Sequence, residues 1–251
     1  MSCVDIRGCR IGEGRPKVIL PIVERAEAAI LEKAAQFSTL QADCVEWRVD
    51  YFEGARAPGA VARCLAKMRV ILRDKLLLVT FRTKAESGEQ ALSHPEYLAF
   101  LRLILDTDCA DLLDIEFFTA GADLPNLVEQ AHSAGVAVVC SSHDFAKTPP
   151  RAELVCRMVQ MQQAGADLPK LAVMPQCRTD VLELLAATAE MADLHPETPV
   201  ITMSMGALGA VSRLAGEAFG SAMTCATPGQ ASAPGQVPLD IVNEVLDALH
   251  L

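Results

Sequence analysis

Residues 44–50 read Cys44-Val45-Glu46-Trp47-Arg48-Val49-Asp50, and their alternation is the key to how the chain is built. Along a strand, successive side chains point to opposite faces. Val45, Trp47 and Val49 share one face and suit packing under helices. Glu46, Arg48 and Asp50 share the other, which in a barrel points into the interior. Three charges in a row on an interior face are costly unless they pair or bind something. Two readings stand at this point: a buried ion-pair network near a barrel mouth, or a site.

Working outward, the same kind of run recurs. Strands are expected at Val18–Val23, Cys44–Val49, Leu76–Phe81, Leu112–Glu116, Ala137–Ser142, Lys170–Met174 and Val200–Met205, with a short one near Met223–Thr224. Helical periodicity fills the gaps at Glu24–Gln36, Val61–Leu72, Pro95–Asp106, Leu124–Ala134, Ala152–Ala164, Asp180–Met191, Ala207–Ala218 and Leu239–Leu249. Eight strands alternating with eight helices, at about 30 residues per unit, predict an α/β fold of the (β/α)8 TIM barrel type. The expectation is one catalytic domain over residues 1–251. Pro95 and Pro125 suit first helical turns, and Thr179-Asp180 suits a helix cap. Gly121, Gly135 and Gly165 punctuate boundaries. The segment Val4–Gly14 is expected to form a small hairpin closing the barrel floor. A doubly wound sheet would carry a glycine-rich phosphate turn after its first strand. Here that strand ends Pro21-Ile22-Val23-Glu24-Arg25, and the later Gly206-Ala-Leu-Gly209 does not make GxGxxG. The barrel is the better reading.

Composition narrows the function classes. The 251 residues are 51% hydrophobic, so a large core is available, and only 4% aromatic, against a base-stacking platform. A net charge of −10 disfavours nucleic acid and anionic membranes as general partners. It leaves room for a few cations gathered in one cleft. Nine cysteines are scattered without a CxxC pair, which suits a reduced, cytoplasmic protein. The charged first residues lack the apolar core of a signal peptide. No run approaches the roughly 18–20 apolar residues that span a bilayer.

Polar groups concentrate where barrel strands end, which is where barrel enzymes place their chemistry. The third strand ends Thr80-Phe81-Arg82 before the loop 83–89, and the fourth ends Asp114-Ile115-Glu116. The fifth ends Ser141-Ser142-His143-Asp144, and the seventh ends Met203-Ser204-Met205. Lys170 opens the apolar sixth strand. Burial there would lower its pKa and free a neutral amine able to attack a carbonyl. The alternative is a strand-entry lysine reaching solvent. His143 is either a hydrogen-bonded loop residue or an acid–base group, with Glu86 and Asp114 available to orient it and support its imidazolium form. His94, His132, His195 and His250 show no HxH or HxxxH spacing, so no histidine-rich metal site is expected. Late in the chain, Arg213 and the Gly/Pro-rich stretch holding Ser232 and Gln236 suit recognition of a carboxylate or phosphate. That stretch also reads as a plain loop.

Taken in order, Glu46-Trp-Arg48-Val-Asp50, Thr80-Phe-Arg82-Thr, Ser141-Ser-His143-Asp-Phe145, Lys170-Leu-Ala-Val-Met174, Met203-Ser-Met205-Gly and Ser232-Ala-Pro-Gly-Gln236 resemble type I 3-dehydroquinate dehydratase. The resemblance runs from about Gly12 to the C-terminus. It implies a hydro-lyase of the shikimate pathway that dehydrates 3-dehydroquinate to 3-dehydroshikimate with syn stereochemistry, without cofactor or metal. It implies that Lys170 forms the Schiff base, His143 moves the protons and Glu86 positions His143. It further implies that Arg213 clamps the substrate carboxylate and that Ser232 and Gln236 close over the substrate. Glu46, Arg48 and Arg82 would bind ring hydroxyls, and Met203 and Met205 would wall the imine. Family members are typically dimers, so a homodimer is implied, and a stand-alone enzyme is expected because no linker to a second domain is visible. Pro21 and Cys225 depart from the serine and phenylalanine expected near the substrate, which leaves pocket details open. A Schiff-base aldolase or transaldolase would need a phosphate site, a non-catalytic barrel scaffold would have no use for Glu86, His143 and Lys170 together, and a metal-dependent hydrolase lacks ligand spacing.

Overall fold

Parallel pairing between neighbours in sequence sets the architecture. The structure is a computed structural model and describes residues 2–228 and 235–251. A hairpin comes first, β1 (Val4–Ile6) and β2 (Cys9–Ile11). Eight parallel strands follow: β3 (Lys17–Ile22), β4 (Cys44–Arg48), β5 (Leu76–Thr80), β6 (Leu112–Glu116), β7 (Ala137–Asp144), β8 (Leu168–Val173), β9 (Ile201–Ser204) and β10 (Met223–Thr227). They pair in the order β10-β3-β4-β5-β6-β7-β8-β9. A single bridge, Val200 to Ser221, closes the ring between β9 and β10, with Ala222 N–H donating to the Val200 carbonyl at 2.8 Å. At this seam the Ser221 hydroxyl also accepts from Thr202 N–H at 3.0 Å. The TIM barrel read from the sequence is the fold observed.

Outside the ring run α1 (Glu27–Ser38), α2 (Ala60–Leu72), α3 (His94–Leu105), α4 (Phe117–Ala120), α5 (Leu124–Ser133), α6 (Arg151–Gln163), α7 (Arg178–Leu194), α8 (Ala210–Leu214), α9 (Gly216–Phe219) and α10 (Leu239–Ala248), the last preceded by the short strand β11 (Val237–Pro238). Ser93 opens α3 with a capping box: Glu96 accepts from both the N–H and hydroxyl of Ser93 at 2.7 Å. Two expectations need correction. Asp180 does not cap α7 with Thr179; Cys177 is the cap residue and Asp180 reaches back to the N–H of Gln176 and Cys177. The single helix expected over Ala207–Ala218 is broken at Ala215 (φ −104°, ψ 24°) into α8 and α9. Glycine has weak helix preference, and Gly216 sits close against Pro16 and Ser221, so tertiary contact decides the path.

The alternation of β4 divides two cores. Val45, Trp47 and Val49 join the helix-facing core, while Cys44 joins the barrel interior with Ile19, Leu76, Leu78, Leu112, Val139, Leu168, Ile201 and Met223. The hairpin closes the floor beneath them. Arg7 and Gly8 both have positive φ (53° and 80°), the geometry of a tight two-residue turn. The turn lets Ile11 sit fully buried in the same interior cluster. Arg7 also donates to the Arg73 carbonyl at 2.7 Å. Apolar residues thus fill the lower interior, and the polar residues of the strand C-termini occupy the upper part.

Candidate active site

Charged side chains meet in the upper interior because β4, β6, β7 and β8 deliver Glu46, Asp114 with Glu116, His143 and Lys170 there. Register pairs Pro21 with Glu46, Glu116 with Ser141, and Ser141 with Lys170. Lys170 is the third residue of β8 and shares the inward face with Leu168 and Ala172. His143 belongs to β7, which runs two residues further than expected, so it stands on a strand above Val139 and Ser141 rather than in a loop.

Lys170 is 3% exposed. Its Nζ lies 3.5 Å from Asp114 Oδ2 and 3.8 Å from Glu46 Oε1. Burial pulls the ammonium pKa down, but Glu46 and Asp114 outweigh it and hold Lys170 above its ordinary value. The expected freed amine is therefore not the resting state; burial alone would give it, and two carboxylates reverse the sign. Asp114 stays below the ordinary carboxylate range despite full burial, because Arg82 and Lys170 face it and Ser141 donates to it.

His143 Nδ1 lies 2.8 Å from Glu86 Oε2, and its backbone N–H donates to the same oxygen at 3.1 Å. Arg82 donates to that oxygen as well, at 3.2 Å. When Glu86 is ionised its oxygen can only accept, which puts the hydrogen on Nδ1 and leaves Nε2 as the basic nitrogen of the ring. Burial, then the positive charges of Arg82, Lys170 and Arg48, hold His143 well below the ordinary imidazole range. The resting ring is neutral, and the imidazolium expected from its carboxylate partner is not favoured because three cations oppose it. Burial pushes Glu86 up to about 8 against the pull of Arg82, with Glu116 and Asp114 adding to the rise.

Arg82 is the hub beneath this pair. Its Nη1 donates to Glu86, Glu116 and Ser141, and its Nη2 donates to Asp114 at 2.9 Å. Glu116, fully buried, also accepts from the N–H and hydroxyl of Thr83 and from the Thr119 hydroxyl at 2.6 Å. Arg48 forks onto Asp50 at 2.7 and 2.8 Å and lies 5.0 Å over the Tyr51 ring. Asp50 itself lies just past β4, in a 3-10 turn, where it also accepts from the N–H of Arg82 and Glu89. Arg213, on α8, is 1% exposed and donates to Met203 Sδ at 3.4 Å.

Many of these side chains line one cleft at the top of the barrel. Glu46, Arg48, Arg82, Glu86, His143, Lys170, Met203, Met205, Arg213 and Gln236 all contribute to its wall, joined by Tyr51, Phe145, Ala172 and Cys225. Among the described residues, no group of three or more His, Cys, Asp or Glu is placed to hold a metal ion. A buried lysine, a histidine with one basic nitrogen and deep arginines can together bind an anionic ketone, form an imine and move a proton.

The family model for type I 3-dehydroquinase matches residues 18–251. The chain belongs to the type I 3-dehydroquinase family. Its similarity to the 3-dehydroquinate dehydratase of Bacillus subtilis (strain 168) is 46% identity over 250 residues, covering 100% of this chain and 98% of the relative. The Bacillus licheniformis enzyme is likewise 46% identical over 247 residues, covering 98% and 97% of the two chains. A solved type I 3-dehydroquinate dehydratase from Clostridium difficile, carrying covalently modified comenic acid, superposes with a TM-score of 0.96 at 42% identity, covering 99% and 98%. The Enterococcus faecalis enzyme superposes at 0.93 with 40% identity, covering 99% and 100%.

Within this family member, the fold brings ten of the eleven site residues named from the sequence to one cleft; Ser232 lies outside the described residues. Pro21 lines a different hollow, beside Glu24, Lys33 and Thr227, whereas Cys225 faces the cleft. Glu116 and Ser141, which the sequence places at strand ends without a role, join Asp114 in the network around Arg82. The signal for them is present, since Asp114 and Glu116 repeat the inward alternation of β4. Asp114, expected beside Glu86 as an orienter of His143, faces Arg82, Ser141 and Lys170 instead.

Proposed function

We propose that this chain is a 3-dehydroquinate dehydratase whose covalent catalyst is Lys170 and whose acid–base group is His143. The dehydratase activity and its place in the shikimate pathway follow from family membership over residues 18–251 and from full-length relatives at 46% identity. The observation that carries the residue assignment is the meeting of Lys170, His143 and Glu86 in one cleft.

The chemistry can be written in balanced steps. The ammonium of Lys170 and the substrate ketone exchange into an iminium and one water, with no net gain or loss of protons. His143 Nε2 takes the proton from the carbon beside the iminium, and the electron pair flows onto nitrogen as an enamine. The imidazolium then gives that proton to the departing hydroxyl, so water leaves and the iminium returns. Hydrolysis consumes one water and restores ketone and ammonium. Lys170 is one of the charges that keep His143 neutral. Its charge vanishes in the enamine at the moment His143 gains a proton, so the two are never required to be positive together.

Arg213 binds the substrate carboxylate in this reading, supported by its deep burial beside the cleft. A buried guanidinium suits an anion it can neutralise. Glu46, Arg48 and Arg82 bind ring hydroxyls, Met203 and Met205 wall the imine against water, and Gln236 with Ser232 closes the mouth. Gly235 carries Gln236 there: its φ is +74°, and any added Cβ would meet the Gly206 carbonyl at 2.2 Å. A cytoplasmic homodimer belongs to the same proposal. It is supported by the family habit and by cysteines that are all free, and sedimentation at twice the 26.9 kDa chain mass would be the expected result.

Borohydride trapping tests the assignment. Incubation with 3-dehydroquinate and borohydride should add a reduced adduct to the peptide holding Lys170, and Lys170→Ala should abolish it. An active protein that yields no adduct on Lys170 would overturn the assignment.

A further inference from the structure

The buried carboxylate of Asp114 has no part in the steps above, yet its geometry is specific. Asp114 sits on β6 with no exposure, and its two oxygens have different partners. Oδ1 accepts from Arg82 Nη2 at 2.9 Å and from the Ser141 hydroxyl at 2.7 Å. Oδ2 is buried with no hydrogen-bond partner among the described residues. What Oδ2 faces, at 3.5 Å, is Lys170 Nζ. A buried carboxylate oxygen left without a hydrogen bond is expensive, so an arrangement that aims it at one nitrogen has to be explained by that nitrogen.

Glu46 also faces Lys170, but from 3.8 Å and with its Oε1 already accepting from the Thr80 hydroxyl at 2.8 Å. The other ionisable groups around Lys170 are Cys225 on β10, Arg82 after β5 and His143 on β7. Cys225 is held as a thiol by burial, and its raised pKa keeps it uncharged. Arg82 opposes a positive nitrogen at Lys170, and His143 is neutral at rest. Asp114 is therefore the nearest anion to the reacting nitrogen, and Arg82 and Ser141 fix it from behind.

We propose that Asp114 is the counter-ion of the Lys170 nitrogen at each step where that nitrogen is charged, favouring ammonium and iminium over their neutral forms. The proposal rests on Lys170 being the covalent residue. The exchange of ammonium and ketone for iminium and water leaves one positive charge at the same nitrogen. A carboxylate fixed beside it is satisfied before and after, with no rearrangement. Electron withdrawal by the nitrogen requires the protonated imine, since a neutral imine is a poor sink. Asp114 keeps that sink switched on and draws the enamine back to iminium as the hydroxyl leaves. It does so by setting the charge on Lys170, without moving a proton to substrate itself.

The test is the titration of Lys170 in the free enzyme, read from the Cε resonance of protein carrying ¹³C-labelled lysine, with Lys170→Arg assigning the signal. In the wild type the midpoint should lie no lower than the ordinary 10.5. In Asp114→Asn it should fall by about 1–3 units, the usual effect of losing an opposite charge at this range. Asp114→Glu, which keeps the charge, should restore most of the shift. The asparagine variant should also lose at least roughly tenfold in kcat with KM changed less, because the charge acts on intermediates more than on binding. A wild-type midpoint well below 10.5, or a folded Asp114→Asn with an unmoved midpoint, would overturn the proposal. The wild-type titration does not depend on an Asp114 variant folding. It needs no substrate either, so failure of the Schiff-base assignment would appear separately, as loss of the borohydride adduct.

Discussion

Glu86 Oε2 meets His143 twice, at the ring Nδ1 (2.8 Å) and at the backbone N–H (3.1 Å). One carboxylate oxygen thereby fixes both the tautomer and the position of the ring. Because burial pushes Glu86 up to about 8, its ionised form grows in only as pH rises through that value. An ionised Glu86 makes Nε2 the stronger base. The kcat/KM profile should therefore rise through an inflection near 8, and Glu86→Gln should flatten that limb. The loss in kcat should be on the order of a hundredfold, the low end for acid–base assistance. An unchanged inflection in Glu86→Gln would assign it to another group.

The same shift has a stability consequence of fixed sign. A carboxyl whose pKa is higher folded than unfolded binds protons preferentially in the native state. Its contribution is fully present below the unfolded value, near 4.5, and is lost as pH rises through about 8. Glu86→Gln, which cannot ionise, should lose less Tm than the wild type between pH 6 and pH 9. Thermal unfolding at the two pH values checks this, and a larger loss in the variant would contradict the assignment.

Arg213→Gln removes a charge placed for the substrate carboxylate and leaves the Lys170–His143 geometry in place. A charge-assisted hydrogen bond is worth about 1.5–3 kcal/mol, so KM should rise roughly tenfold to a hundredfold. Arg213→Lys should recover only part of this, since an ammonium cannot fork onto a carboxylate. Steady-state kinetics separate the outcomes; a fall in kcat at unchanged KM would place Arg213 in the chemistry instead.

Much of this was legible in the chain because strand alternation is a strict code. Glu46 against Trp47, and Lys170 against Leu171, sort to inside and outside by their place in the alternation alone. The barrel followed from counting those runs, and the ordered motifs brought the cleft residues together. What escaped was the sum of charges. Sequence leaves Lys170 either buried or reaching solvent, and once it is buried the sign of its pKa shift depends on Asp114 and Glu46 arriving from two other strands at 3.5 and 3.8 Å. The break at Ala215 escaped for a similar reason, since helical periodicity continues across it and only packing against Gly216 interrupts it.

Trp47 separates packing from hydrogen bonding. Its ring is fully buried in the helix-facing core, 5.8 Å from that of Phe52, while its Nε1–H is buried with no hydrogen-bond partner among the described residues. Trp47→Ala should cost about 3–5 kcal/mol through lost burial and a cavity. Trp47→Phe keeps a ring and removes an unsatisfied donor, so its cost should stay below about 2 kcal/mol. Denaturant unfolding followed by circular dichroism ranks the two, and equal costs would imply a partner for the indole N–H.

Gly209 offers a way to disturb Arg213 without touching it. Its backbone angles suit any residue, but an added Cβ would lie 2.2 Å from the Ser204 carbonyl oxygen and 2.4 Å from its carbon. The reason for this contact is the seating of α8 on the end of β9. The Ser212 hydroxyl accepts from Ser204 N–H at 2.8 Å and donates to the Gly209 carbonyl at 2.7 Å, locking the turn down. The Ser204 carbonyl yields little, because it is backbone at the end of a strand paired with β8. Gly209→Ala must therefore lift the start of α8 and carry Arg213, four residues on, away from the cleft. The expected result is a KM increase approaching that of Arg213→Gln, with the Lys170 adduct still formed at saturating substrate. Combining the two changes should cost little more than the worse one alone, since both act through one guanidinium. Fully additive losses would show that Gly209 supports something other than the position of Arg213.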